Sequence, residues 1–378
     1  MKLNTLILFL NLIIASVYSQ NNKSESIEDL FKKELEKKNI YNAYLNVYSK
    51  SKAIHISLNG GTFTNGKRIT TANPFYTASI GKMFTATAIA ILKEKHVLDF
   101  NDAISLYLTK EVLSGLHVFN GKEYSNKITI GQLLQHTSGL PDYFEDTTLD
   151  GTPNMIQQIF IQPNKTTTSI ENISFTKQKM KPLFIPGKGF HYTDTAYNLL
   201  GLIIEKVSGK PLHKFFKENI FIPLKMKHTY INLQSKPIDE SLKMAEIYVE
   251  NLEISNYKSL SADWAGGGIV STSKDLILFQ EALFTYKLVN KETLQKMQHW
   301  IPETHGMEYG FGLRKITLNQ LDPTLPELEI IGHSGSTGSF VYYCKKLDTY
   351  ISGTLNQVSA KKNALVFISA ILKSIQQN

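Results

Sequence analysis

Apolar and polar residues alternate with a period of two over 43–48 and again over 53–58, and that period predicts two strands. Ser49-Lys50-Ser51-Lys52 between them reads as a hairpin tip, and Gly60-Gly61 ends the pair. Asn73-Pro74 then stops the chain. From Gly81 to Leu92 the residues are apolar and alanine-rich without a polar stripe, the pattern of a buried helix. A charged amphipathic helix is predicted upstream, over 27–37.

Between about 100 and 260 helical pieces alternate with polar loops, and clear strands are few. Thr129 with Gln132 three residues later fits a capping box for a short helix that stops at His136-Thr137-Ser138-Gly139-Leu140-Pro141. Residues 144–175 are rich in Thr, Asn and Asp and are expected to be an irregular excursion. Leu199, Leu200, Ile203, Ile204 and Val207 lie on helical spacing, and Gly209 ends that helix. Thr272 is expected to cap another helix that runs to about Phe284. Strand patterns return over 309–313, 329–333, 339–344 and 350–355, followed by a terminal helix over about 360–375. The fold class that follows is α+β: an antiparallel sheet flanked by helices, built from both chain ends, with a mainly helical inserted subdomain over about 100–260.

Composition changes this picture little. Of the 378 residues 42% are hydrophobic and 20% charged, enough for a sizeable core. The net charge of +8 comes from scattered lysines without an aromatic-interleaved basic stripe, which argues against a nucleic-acid partner. Residues 1–19 have a basic start, an apolar middle and a small-residue end at Ser19. They read as an export signal, with 20–378 as the mature domain, periplasmic or secreted. That run is short for a bilayer span, and no later stretch is long enough for one. The single cysteine, Cys344, precludes an internal disulfide and reads as a packed core residue.

Three polar sites carry possible chemistry. Ser79 opens the apolar helix and Lys82 lies one turn further on the same face. Six serines have a lysine three residues later (Ser49, Ser79, Ser174, Ser255, Ser271 and Ser359), but only at Ser79 does the lysine lead into a long apolar helix. Ser79 is either a helix cap or a nucleophile, and a lysine against an apolar helix is expected to lose its proton easily and to act as a base. Tyr192 precedes a helix and is either packed there or presented to a cleft. His333-Ser334-Gly335-Ser336-Thr337-Gly338 is a strand end with a glycine turn. The run Ala265-Gly266-Gly267-Gly268 lacks phosphate-loop spacing and reads as close backbone packing. No His-Glu-x-x-His and no Gly-x-Ser-x-Gly is present, so a zinc hydrolase and an α/β-hydrolase are both disfavoured, and no metal or cofactor is expected.

Taken together and in this order, these sites resemble the serine beta-lactamase and penicillin-binding superfamily over about residues 40–375. The similarity is to the branch of class C beta-lactamases, D-alanyl-D-alanine carboxypeptidases, D-aminopeptidases and esterases. Ser79-Ile80-Gly81-Lys82 matches the Ser-x-x-Lys of that family, Tyr192-Thr193-Asp194 its Tyr-x-Asn, and His333-Ser334-Gly335 its Lys-Thr-Gly or His-x-Gly. The resemblance implies a beta-lactamase/transpeptidase-like fold and acyl transfer through a covalent serine. Ser79 would be the nucleophile, Lys82 and Tyr192 would share the proton work, and the backbone amides of Ser79 and Ser336 would form the oxyanion hole. Asp194, His333 and Gly335 would contact substrate, with Gly335 leaving room along a strand edge.

Two departures bear on the substrate. Asp194 stands where the family has an amide, and an ionised carboxylate can only accept hydrogen bonds. That weakens recognition of a beta-lactam or peptide carbonyl. Such a residue would orient Lys82, favour a substrate with a donor or positive charge, or cap the following helix. His333 replaces a lysine and so makes a fixed charge pH-dependent. The resulting expectation is an exported serine hydrolase acting on a small ester, amide or D-amino-acid peptide, cell-wall fragments among the candidates. The alternatives are a penicillin-binding or muropeptide-sensing protein with negligible turnover, a beta-lactamase, or a silent relative.

Overall fold

The structure, a computed structural model, describes residues 27–377, and the expected export signal over 1–19 lies outside them. Both chain ends build one sheet of eight antiparallel strands. In chain order these are β1 (Asn42–Ser49), β2 (Ile54–Gly61), β3 (Ile301–Thr304), β4 (Met307–Tyr309), β5 (Arg314–Thr317), β6 (Glu329–Ser334), β7 (Ser339–Cys344) and β8 (Thr349–Thr354). Across the sheet they run β3-β4-β5-β6-β7-β8-β1-β2. The last strand therefore joins the amino-terminal hairpin to the carboxy-terminal meander, with Val47 opposite Ile351.

The alternation in β1 decides which face each residue serves. Ala43, Leu45 and Val47 pack with Ile27 and Phe31 of helix α1 (27–35) and with Phe367, Ile371 and Ile375 of the terminal helix. Tyr44, one step out of phase, turns to the other face and stacks on Phe75 at 5.3 Å between ring centroids. On that face lie α2 (Gly81–Glu94), α3 (Asp194–Ser208), α4 (Ser273–Phe284) and the rest of the helical insertion, and α5 (Lys361–Gln377) closes the opposite side. The α+β architecture with a helical middle is thus as the sequence pattern predicts.

Two segments differ from that pattern. The Thr- and Asn-rich stretch 144–175 holds two short helices, Met155–Ile161 and Ser169–Lys179. Its polar residues start them through reciprocal capping pairs, Asn154 with Gln157 and Thr168 with Glu171. Of the strand expected over 309–313 only Tyr309 lies in one, at the end of β4, and 310–313 form the bend between β4 and β5. Gly312 there has φ +66°, and a Cβ on it would lie 2.4 Å from Ala86 Cβ and 2.8 Å from Lys82 O, so the bend presses its backbone onto α2.

A three-stranded sheet places the start of α2. Phe75–Tyr76 pairs with Ile269–Ser271, which also pairs with Tyr230–Ile231. The segment before Ser79 and the segment after the glycine run are thereby hydrogen-bonded to each other. Behind them, Phe84 stacks on Phe279 of α4 with centroids 3.9 Å apart, and both rings are fully buried. Phe84→Ala should cost about 3–5 kcal/mol in unfolding free energy, since deleting a buried aromatic loses both transfer and packing terms. Urea denaturation of the variant measures it, and a loss below about 1 kcal/mol would mean that this junction does not carry the core.

Candidate active site

Ser79 occupies a single 3-10 turn, Ala78–Ile80, that runs straight into α2. Ala78 is held at φ +46°, a conformation that non-glycine residues adopt only under local constraint. The constraint comes from the neighbours. A Cβ on Gly267 would lie 2.9 Å from the Ala78 carbonyl carbon, and one on Gly81 would lie 2.9 Å from Gly267 Cα. The glycine run is therefore a close-packing device that fixes the Ser79 turn, as its lack of phosphate-loop spacing suggests.

Lys82 is the second residue of α2 and is fully buried. Its Nζ donates to Ser79 Oγ at 3.2 Å, to Asp194 Oδ1 at 2.5 Å and to Gly266 O at 3.1 Å. Three acceptors match the three protons of an ammonium. Burial alone would lower its proton affinity, but the Asp194 carboxylate and the Tyr192 phenol outweigh burial and hold Lys82 above the usual lysine range. The expectation of an easily deprotonated lysine is thus reversed in the resting protein, because a carboxylate shares its burial. Asp194 opens α3, but the cap of that helix is Thr193, whose side chain accepts from Thr195 N. A Cβ on Gly266 would lie 2.1 Å from Asp194 Oδ1, so only glycine fits behind the pair.

Two further buried carboxylates stand nearby. Asp142 Oδ1 accepts from Asp194 N at 2.8 Å, and burial together with the Asp194 charge pushes Asp142 up to about 7. Asp263 Oδ2 accepts from the Tyr76 hydroxyl at 2.6 Å and is pushed up to about 6 by the same two causes.

The Tyr192 ring lies 4.8 Å from Lys82 Nζ, measured to its centroid. Burial pushes the Tyr192 phenol up to about 12, against the pull of the Lys82 ammonium and the Ser79 hydroxyl. The ring is held by His136 at 4.3 Å between centroids. His136 Nδ1 accepts from Thr193 N at 3.1 Å, so the ring is the neutral tautomer, and burial keeps it so. His333 departs from the expectation of a titrating charge in the cleft. It is fully buried, donates from Nδ1 to Ser334 O at 2.8 Å, accepts at Nε2 from the Tyr309 hydroxyl at 3.0 Å, and is held neutral by burial and by Arg314. The permanent cation on this side is Arg314, which forks onto Glu303 through two 2.6 Å hydrogen bonds and lies 5.6 Å from the Tyr192 ring centroid.

These groups border one cleft of about 770 Å3. Ser79, Tyr192, Asp194, Arg314, Gly335 and Ser336 all line it, whereas Lys82, His136 and His333 sit behind its wall. Pairing of β5 with β6 stops at Arg314 opposite Gly332, and β6 runs on through His333 and Ser334 as a short free edge. Gly335 follows. A Cβ on it would lie 2.2 Å from Thr77 O, so this glycine lets the β6–β7 turn meet the Ser79 turn. The far wall is apolar, with Phe144, Ile156, Ile159, Phe160 and Leu260.

Sequence reasoning missed Arg314, Glu303, Asp142 and Asp263. A signal existed for Arg314. Arg68 and Arg314 are the only arginines among 41 basic residues, and arginine is the side chain suited to a planar two-point fork. Nothing local marks the carboxylates, which are brought to Lys82 from other parts of the chain.

A family model described as Beta-lactamase matches residues 27–368. Penicillin-binding protein 4* of Bacillus subtilis is 28% identical over 94% of this chain and 76% of its own length. In fold, the chain is similar to the D-amino acid amidase of Ochrobactrum anthropi SV3, with TM-score 0.75, 22% identity and coverage of 95% of this chain and 99% of the other. It is also similar to an octameric penicillin-binding protein homologue from Pyrococcus abyssi, with TM-score 0.74, 22% identity and coverage of 92% and 77%.

The raised Asp142 has a consequence for stability. A carboxyl whose folded value lies near 7 binds its proton more tightly than in the unfolded chain, so its contribution is complete below about pH 4 and is lost as pH rises through about 7. Asp142→Asn should therefore flatten the fall in urea midpoint between those pH values while lowering its level, since Glu145 N loses its acceptor. A midpoint-against-pH slope identical to wild type would show that Asp142 does not titrate in that window.

Proposed function

Because the chain belongs to the beta-lactamase family, we propose that it is an exported serine hydrolase acting through an acyl-enzyme on a small ester, amide or D-amino-acid peptide. Residues 1–19 direct export, and 20–378 form the hydrolase domain with its helical subdomain over about 100–260. Among the described residues no helix is long and apolar enough to cross a membrane.

The observation that supports this reading most is the 3.2 Å contact of Lys82 Nζ with Ser79 Oγ at a cleft that Tyr192 also lines. Once the Lys82–Tyr192 unit has released one proton to solvent, Ser79 Oγ attacks the substrate carbonyl while its proton passes to that unit. The backbone amides of Ser79 and Ser336 receive the developing oxyanion, and fixed amides stabilise it better than mobile water. The same unit returns the proton to the leaving group as the tetrahedral intermediate collapses. Water then repeats the sequence on the acyl-enzyme and frees Ser79.

The cleft pairs an apolar wall with Asp194 and the Arg314–Glu303 fork, which suits a substrate carrying both a small apolar group and a polar end. A second reading, a penicillin-binding protein that acylates and clears slowly, draws on the likeness to penicillin-binding protein 4* along most of the chain. Intact-protein mass after incubation with a p-nitrophenyl ester, a penicillin and a D-alanyl dipeptide separates the two. The hydrolase clears its adducts within minutes, and the penicillin-binding protein retains the penicilloyl mass.

Ser79→Ala should take up no fluorophosphonate, and undiminished labelling of the variant would refute the assignment. Lys82→Ala and Tyr192→Phe should each cut turnover about a hundredfold or more, and the double variant should be little worse than the worse single one. Fully multiplicative losses would count against a single proton-transfer unit.

A further inference from the structure

We infer that Asp194 is a positioning residue for the reaction proposed above: its carboxylate pins Lys82 as the ammonium at rest and controls when the Lys82–Tyr192 unit can take the Ser79 proton. The inference rests on that proposed reaction. It starts from the hydrogen-bond count at Nζ. Gly266 O can only accept, and an ionised Asp194 can only accept, so Lys82 must donate to both. The third partner, the Ser79 hydroxyl, can donate as well as accept. Once Lys82 has lost one proton, the Ser79 hydroxyl can turn and donate to the freed lone pair without disturbing the other two bonds. The geometry thus contains the base form, and Asp194 opposes its formation.

The proton balance does not depend on which atom gives the proton up. An ammonium beside a phenolate and an amine beside a phenol hold the same number of protons, so the unit must lose one to solvent before Ser79 can be deprotonated. Then the Ser79 O–H proton moves to the unit, the Oγ–carbon bond forms, and the carbonyl electron pair moves onto oxygen. A carboxylate 2.5 Å from Nζ makes that first loss harder by either route.

The other charged and titratable groups around Lys82 do not cancel this effect. Burial and the Asp194 charge push Asp142 up to about 7 and Asp263 up to about 6, and above those values they add negative charge near Lys82 as Asp194 does. Tyr192 and Tyr197 present ring faces 4.8 and 5.5 Å away. His136 and His333 are neutral. Arg314 is engaged by Glu303. In the alkaline range these form a constant background, and Asp194 is the group in direct contact.

The test is the second-order rate of fluorophosphonate labelling at Ser79, followed by intact mass from about pH 6 to about pH 10.5. The wild-type rate should climb throughout that range. Asp194→Asn, which restores the amide of the wider family at nearly constant shape, should level off about 1–3 pH units lower. Asp194→Ser removes the charge with less bulk and should level off with it, which guards against a folding defect in one variant. A merely structural role would lower the rate and leave the limb in place. A labelled wild type whose limb coincides with those of the variants overturns this inference alone. A wild type that takes up no label at any pH overturns the proposed function and this inference with it.

Discussion

A single buried ammonium sets the conditions for the rest of this site. Taking a lysine head out of water costs several kcal/mol unless each of its protons finds an acceptor. Lys82 finds a hydroxyl, a carboxylate and a backbone carbonyl. Each acceptor constrains a different part of the chain. The hydroxyl fixes the register of the Ser79 turn against α2. The carbonyl requires the glycine run to approach α2 at backbone distance, hence the glycines at 266 and 267. The carboxylate requires α3 to begin directly across the cleft, with Asp142 bonded to its first amide.

Around that pair the structure sorts its other polar groups by charge. The two histidines behind the cleft wall, His136 and His333, are kept neutral by burial. His333 gives its proton to a carbonyl and receives one from Tyr309, and His136 accepts from a backbone amide. Arg314, Glu303 and Asp194 are among the charged side chains that line the cleft. Arg314 is oriented by a two-point fork, which a lysine at that place would not reproduce. The polar edge of the cleft is consequently preorganised, while Ile156 and Phe160 on the opposite wall remain partly exposed.

Much of the fold was legible because its signals are local. A period of two gave β1 and β2, and the apolar run after Gly81 gave α2. Thr129, Thr272 and Gly209 marked helix ends as their side chains or φ angles require. Local signals misled where one residue type serves two purposes. Threonine and asparagine over 144–175 look like loop formers and prove to be caps, and Gly310 and Gly312 look like part of a strand and prove to form a bend pressed onto a helix.

The sequence by itself determined the architecture, since periodicity and capping signals are local, and the resemblance carried by its Ser79, Tyr192 and His333 motifs pointed to the family. The protonation states were decided only by tertiary structure. Lys82 is held as an ammonium, His333 as a neutral imidazole and Asp142 near 7 by burial and by groups brought in from other segments of the chain. Proton affinity depends on burial and on the distance to other charges, and neither is a property of local sequence.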